Sequence, residues 1–215
     1  MITPIDVNPR WITSPPSEDK PARNNIANIE WMTFVANEVF YVIIPGSGSI
    51  TAKFDNNDWF RTNFIITGYT TEIGRFHRGY SIAASEIRQA VWRSFEISKC
   101  RAIHIVGHSL GAAVGGKLAL DTAIKYRKQP LTKVFYSGFS CPGWAGFFTN
   151  NLFKKLINSA NIWYYGWDIV RYIFSIFGFF PLGNKSHFKA PKRKFSFDNF
   201  GNDHQIYNFY DLYGN

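Results

Sequence analysis

Apolar residues in this chain come in two patterns. Short β-branched and aromatic runs at 38–44, 63–70, 103–106, 132–140 and 161–167 read as strands. Between them, apolar positions recur at three- and four-residue steps. Residues 76–98 place Ile82, Ala83, Ile87, Ala90, Val91 and Phe95 on one side, which predicts a helix. Residues 110–127 carry a face of small residues (Ala112, Ala113, Gly115, Gly116, Ala119, Ala123), so that helix can lie close to a sheet. Residues 144–160 also read as a helix, with Phe147, Phe148, Leu152, Leu156 and Ile157 on one side. Residues 26–36 fit a short helix loosely, through Ile26, Ile29, Phe34 and Val35. Strands alternating with helices predict one α/β domain, with a central, mostly parallel sheet and helices on both faces. Residues 1–25, rich in Pro, Ser and charge, read as an N-terminal arm, leaving 26–215 as the domain.

Composition adds partners to this picture. At 46% hydrophobic and 18% charged, the chain can bury a core. Its aromatic share is 18%, enough to fill a core, line an acyl pocket or face lipid. The net charge of +9 favours anionic partners such as phospholipid head groups, and equally serves as a solubilising surface. No nucleic-acid motif accompanies it. Cys100 and Cys141 flank different strand ends, roughly 20 Å apart, too far for a disulfide. The N-terminus lacks the apolar core of a signal peptide, and the longest uncharged run, 172–184, is too short to span a bilayer. The default reading is cytoplasmic, with peripheral contact to an anionic membrane surface. Asp55 and Asp58 read as turn residues rather than metal ligands. No cofactor and no metal is expected.

The chemistry concentrates at Ile103-His104-Ile105-Val106-Gly107-His108-Ser109-Leu110-Gly111-Ala112-Ala113. A β-branched run enters a Gly-x-Ser-x-Gly and leaves as an apolar helix. This is the pattern of a nucleophile elbow, in which a strained turn exposes a serine at the carboxyl edge of a sheet. Gly107 and Gly111 let helix and strand approach closely, and the Leu110 amide, at the helix start, faces any oxyanion formed there. Pro45-Gly46-Ser47 ends another strand, where Ser47 can supply a second oxyanion donor or simply turn the chain. Asp168 follows the last strand on the same rim and suits the acid that orients a catalytic imidazole, or a helix N-cap. His77 precedes Ser109, which argues for a packed structural histidine. Asp121, well along the second helix, reads as an exposed acid. A base downstream of the acid leaves His187 and His204. His187 sits among Lys185, Lys189, Lys192, Arg193 and Lys194, which oppose a cationic imidazole, so the charge pattern favours His204. The apolar stretch 169–182 suits core and interface equally.

Together these residues resemble the class 3, fungal-type lipases of the α/β-hydrolase superfamily, over most of the chain from about Val39 to Tyr210. Gly107-His108-Ser109-Leu110-Gly111-Ala112 is similar to that family's elbow, and Phe76-His77-Arg78-Gly79-Tyr80 to its His-x-Gly-aromatic segment. Pro45-Gly46-Ser47 stands where the family has an Arg-Gly-Thr or Arg-Gly-Ser oxyanion turn. Asp168-Ile169-Val170 resembles its aspartate before a Val-Pro segment, and His204 with Tyr207 and Tyr210 its C-terminal histidine region. The resemblance implies Ser109 as nucleophile, Asp168 as orienting acid and His204 as base, with Ser47 and Leu110 forming the oxyanion hole. It implies a serine esterase acting on lipid esters, triacylglycerol or phospholipid, through an acyl-enzyme. Two departures stand out: Pro45 in place of the family's arginine, and Arg171 with a long apolar run in place of its proline-rich segment. The interval 48–75, where the family carries its lid, is short. The alternatives are a non-catalytic lipid-binding or scaffolding relative, and a serine hydrolase of small non-lipid esters.

Overall fold

The computed structural model describes residues 12–13, 29–46, 67–166 and 168–189. In chain order the strands are β1 (Ile12–Thr13), β2 (Glu30–Ala36), β3 (Val39–Ile44), β4 (Gly68–Thr71), β5 (Gly74–His77), β6 (Ala102–His108), β7 (Lys133–Phe139), β8 (Ser159–Tyr165) and β9 (Asn184–Phe188). The helices are α1 (Arg78–Ser98), α2 (Leu110–Tyr126), α3 (Thr149–Leu156) and the short α4 (Val170–Ile173). Seven strands form one sheet in the order β1-β2-β3-β6-β7-β8-β9. From β3 to β9 all neighbours run parallel, and β1 and β2 add an antiparallel edge. β4 and β5 make a separate hairpin.

Side-chain alternation sorts this sheet into two faces. Val42, Ile105 and Tyr136 lie side by side in register and are fully buried. The described helices cover this face. Phe95 of α1 meets Phe40 at 5.7 Å, the Tyr136 hydroxyl donates to the Ala112 carbonyl in α2 at 2.7 Å, and Phe153 of α3 meets Tyr136 at 6.0 Å. The opposite face is aromatic and half-buried. Phe34 stacks on Tyr41, Tyr41 meets His104, and His104 donates to or accepts from Ser137 at 2.8 Å. Helical cover on this second face falls outside the described residues. No helix among the described residues is long and apolar enough to cross a membrane.

Several expectations need correction. Residues 30–36 are strand β2, not helix. Asn37 and Glu38 both take positive φ, 49° and 62°, and fold β2 onto β3 as a two-residue hairpin. The ladder so formed outweighs the weak helical spacing. Two residues of the expected N-terminal arm pair with Trp31 and Glu30 as β1. The strand read at 63–70 is described only from Gly68, and it belongs to the hairpin rather than the central sheet. The helix read at 144–160 shrinks to Thr149–Leu156. Ahead of it the chain is extended because Ala145 bridges both Phe76 and Phe180, while the Trp144 ring packs on Gly116 of α2. Asp121 is not an exposed acid. It pairs with Lys117 one turn back and with Arg88 of α1. Lys117 is buried with its ammonium 5.1 Å above the Phe76 ring, and a cation so placed requires a counter-charge. Cys100 and Cys141 are free thiols.

Candidate active site

Strand β6 delivers Ser109 to the carboxyl edge of the sheet. Its backbone takes φ 52° and ψ −124°, a conformation that L-residues avoid at a cost of about 1–3 kcal/mol. Hydrogen bonds hold it on both sides. The Ser109 N–H donates to the Phe139 carbonyl at 2.9 Å, and the Ser109 carbonyl accepts from the Ala112 amide at 2.9 Å, starting α2. The turn is as tight as the glycine spacing requires. A Cβ on Gly111 would run into the carbonyl oxygens of Ile44 and Pro45, so the start of α2 lies directly against the end of β3.

That contact brings the next strand end to the serine. A Cβ on Gly46 would sit 2.9 Å from His108 Nδ1 and 3.1 Å from Ser109 Cβ. The Pro45-Gly46 turn therefore runs along the nucleophile's flank. Ser47, the residue after it, lies outside the described residues. Leu110 opens α2, so its N–H belongs to the first turn and has no acceptor within the helix.

Asp168 follows β8, two strands away from β6, at about 10 Å by the usual strand spacing. Its amide donates to the Tyr165 carbonyl at 3.2 Å, which folds it back toward the sheet edge. The side chain is buried, and its Oδ1 accepts from the Val170 amide at 3.0 Å. The capping role and the rim position thus coexist, since a carboxylate accepts several bonds. Ser109 and Asp168 stand on one rim with β7 between them, about the span of an imidazole hydrogen-bonded at both ends.

The histidines fall in different places. His187 lies on β9, opposite Tyr164, three strands from β6 and about 14 Å away by strand spacing. Its Nε2–H donates to the Gly166 carbonyl at 2.6 Å. His204 lies outside the described residues. His77 is fully buried and caps α1, its Nδ1 accepting from the Tyr80 amide at 3.5 Å. Its ring stacks on Tyr80 at 4.2 Å and meets Phe174 and Phe179 edge-on, as a structural histidine does.

Sequence reading missed how the rim is tied together. The His77 amide donates to the Trp144 carbonyl at 2.8 Å, Gly146 to Arg75 at 2.7 Å, and Phe180 to Ala145 at 2.7 Å. Loops after β5, β7 and β8 are thereby laced into one wall. The signal for it was present in Pro142-Gly143, which stops the helix that residues 144–160 suggested. Burial beneath this wall pushes the Cys141 thiol up to about 12, so it stays protonated and inert. Tyr164, raised well above its ordinary range by burial, donates its hydroxyl to the Cys141 carbonyl at 2.8 Å. A cavity lined by Tyr69, Thr71, Glu72, Ile73, Phe76 and Lys117 opens between the hairpin and α2, with none of the candidate catalytic residues on its wall.

A parallel sheet that drives a serine into a positive-φ turn before a helix defines an α/β-hydrolase fold. No family model matches the chain, and no curated protein matches its sequence. Solved structures do match. The lipase of Rhizopus microsporus var. chinensis superimposes with a TM-score of 0.59 at 15% identity, over 77% of this chain and 59% of that one. The triacylglyceride lipase of Rhizomucor miehei gives 0.58 at 19% identity, over 74% and 62%. Lipase II of Rhizopus niveus gives 0.58 at 15%, over 76% and 63%. The chain has the fungal-type, class 3 lipase form of the fold. It spans about three fifths of the length of those lipases.

Proposed function

We propose that this chain is a serine esterase that hydrolyses lipid esters. The observation that carries the reading is the strained Ser109, flanked by the first amides of α2 on one side and the Pro45-Gly46 turn on the other. A serine does not hold φ 52° in the middle of a well-packed sheet edge without a gain elsewhere, and presenting its hydroxyl to a substrate is such a gain. Similarity to fungal triacylglycerol lipases supports the same reaction class.

In this reading Ser109 Oγ attacks the ester carbonyl while His204 accepts the hydroxyl proton. Asp168 holds the imidazole and stabilises its charged form. The oxyanion rests on the Leu110 and Ser47 amides. Collapse of the tetrahedral intermediate expels the alcohol, which takes the proton from the imidazolium. Water, deprotonated by the same imidazole, then releases the fatty acid and restores Ser109. The position of His187, three strands away and bonded to Gly166, favours His204 as the base. The net charge of +9 favours phospholipid, in a phospholipase A1-like cleavage, alongside triacylglycerol, and makes a lipid surface the natural partner.

The test is covalent labelling with a fluorophosphonate, paired with hydrolysis of a long-chain fatty-acyl ester. Labelling at Ser109, abolished in Ser109→Ala together with hydrolysis, is the expected result. An unlabelled serine would favour the non-catalytic reading. Labelling with turnover of short esters alone would favour a non-lipid substrate.

A further inference from the structure

The rim that carries Ser109 and Asp168 also carries the largest apolar side chains left in solvent. Phe148 is 92% exposed, Ile176 81% and Phe147 67%, with Ile169, Tyr172 and Phe177 also exposed. They come from two separate loops, after β7 and after β8, which the Ala145–Phe180 bridge joins into one surface. Phe147 meets Phe148 at 6.1 Å and Phe180 at 6.2 Å, so the patch is continuous across the two loops. Buried Phe174 and Phe179 lie beneath it against His77, so the exposed residues stand on a packed floor.

Cations surround this patch. Arg75 lies over the Phe179 ring at 4.9 Å, and Arg171 over Tyr172 at 4.2 Å. Lys154 and Lys155 extend from α3, and Lys185 from β9. None of these five makes an ion pair among the described residues. Residues 145–189 hold five Lys and Arg against one carboxylate, Asp168, which is buried. Lys185, Arg171 and Lys154 are near enough to repel one another. Burial lowers the Lys185 ammonium, and the other two cations lower it further. A cluster of cations with no internal counter-charge calls for an external anion.

We propose that this surface docks on an anionic lipid bilayer, with Phe147, Phe148, Ile176 and Phe177 entering the acyl boundary and the surrounding cations meeting phosphate-bearing head groups. Apolar side chains beside lysines and arginines match both layers of such an interface, and an aqueous protein partner would have to offer the same two layers. Docking turns the carboxyl edge of the sheet, with Ser109, toward the lipid. The inference deepens the esterase reading by naming the partner of that site, while its test stands apart from catalysis.

Co-sedimentation of the full chain with vesicles tests it, using phosphatidylcholine alone against phosphatidylcholine with phosphatidylglycerol, and with hydrolysis of a long-chain ester followed in parallel. Ser109→Ala is expected to bind anionic vesicles as the parent does. Phe148→Ser with Ile176→Ser is expected to lower that binding by at least about tenfold. Lys154→Gln with Lys155→Gln is expected to lower it about fivefold per charge and to weaken its dependence on salt. Equal binding to both vesicle types, or anionic binding indifferent to both pairs, would overturn the proposal. So would a solution dimer that the Phe148 and Ile176 changes dissolve, with no vesicle binding. Thermal melting of each variant separates lost docking from lost folding. Binding without ester hydrolysis would sink the esterase reading and leave docking standing. Hydrolysis without binding would do the reverse.

Discussion

The Ser109 amide donates to the Phe139 carbonyl at 2.9 Å, which makes the strained elbow a continuation of the β6–β7 ladder. One strand further on the pattern repeats: Ser140, also at φ 52°, donates its amide to the Trp163 carbonyl at 2.8 Å. The sheet therefore extends one hydrogen bond beyond its regular strands along the rim. That extra bond holds the backbone of Ser109 where α2 can start beneath it.

The strain at Ser109 is removable. Ser109→Gly is expected to abolish ester hydrolysis and to raise unfolding free energy by about 1 kcal/mol, since glycine accepts positive φ at some loss of chain entropy. Ser109→Ala is expected to abolish hydrolysis equally without that gain. Denaturant titration of both variants reads the difference. No gain in the glycine variant would mean that the turn carries no strain.

Asp168 performs two tasks that substitution can separate. Asp168→Asn keeps an oxygen for the Val170 amide, so stability is expected to stay within about 1 kcal/mol of the parent. Its kcat is expected to fall about ten-thousand-fold, because the imidazole loses its orienting charge. Asp168→Ala is expected to lose the cap as well. Equal kcat for parent and Asp168→Asn would show that this carboxylate serves the cap alone.

The pair of Lys117 and Asp121 stabilises the contact of α2 with α1 and the hairpin. Asp121→Asn leaves a buried ammonium short of its counter-charge and is expected to cost about 3 kcal/mol. Lys117→Met in the same chain is expected to recover most of it. Thermal and chemical unfolding of the single and double variants form the cycle that checks this.

His104 makes stability depend on pH. It lies on the aromatic face between Tyr41 and Phe135, and burial lowers its pKa from the ordinary 6.5. The unfolded chain then takes up a proton that the folded chain resists. Stability contributed this way is complete above pH 6.5 and is lost as pH falls below it, by up to about 1.4 kcal/mol per pH unit. His104→Gln is expected to flatten that slope between neutrality and the folded-state pKa. An unchanged slope in unfolding measurements would assign the dependence to another group.

Some elements were legible because their information is local. Gly107 to Ala113 writes the elbow in consecutive residues, and α1 and β7 follow from repeated spacing over many positions. Residues 30–36 were not legible in the same way. Trp31 to Ala36 becomes a strand only because Asn37 and Glu38 turn it onto β3, a pairing that spacing within the segment does not reveal. Asp121 looked exposed because its burial comes from Arg88 and Phe76, which lie far from it in sequence.

By itself the sequence determined the α/β alternation, the serine at the strand-to-helix turn and the acid after β8. Each is set by dihedral preference and apolar period within a few residues. Tertiary structure alone decided which loops form the rim. The chain at Trp144 and Ala145 stays extended because Phe76 and Phe180 supply its backbone partners from either side. It also decided that Phe148 and Ile176 face solvent while Phe174 and Phe179 do not. An apolar run carries no record of which of its faces will find something to pack against, and only the folded neighbours answer that.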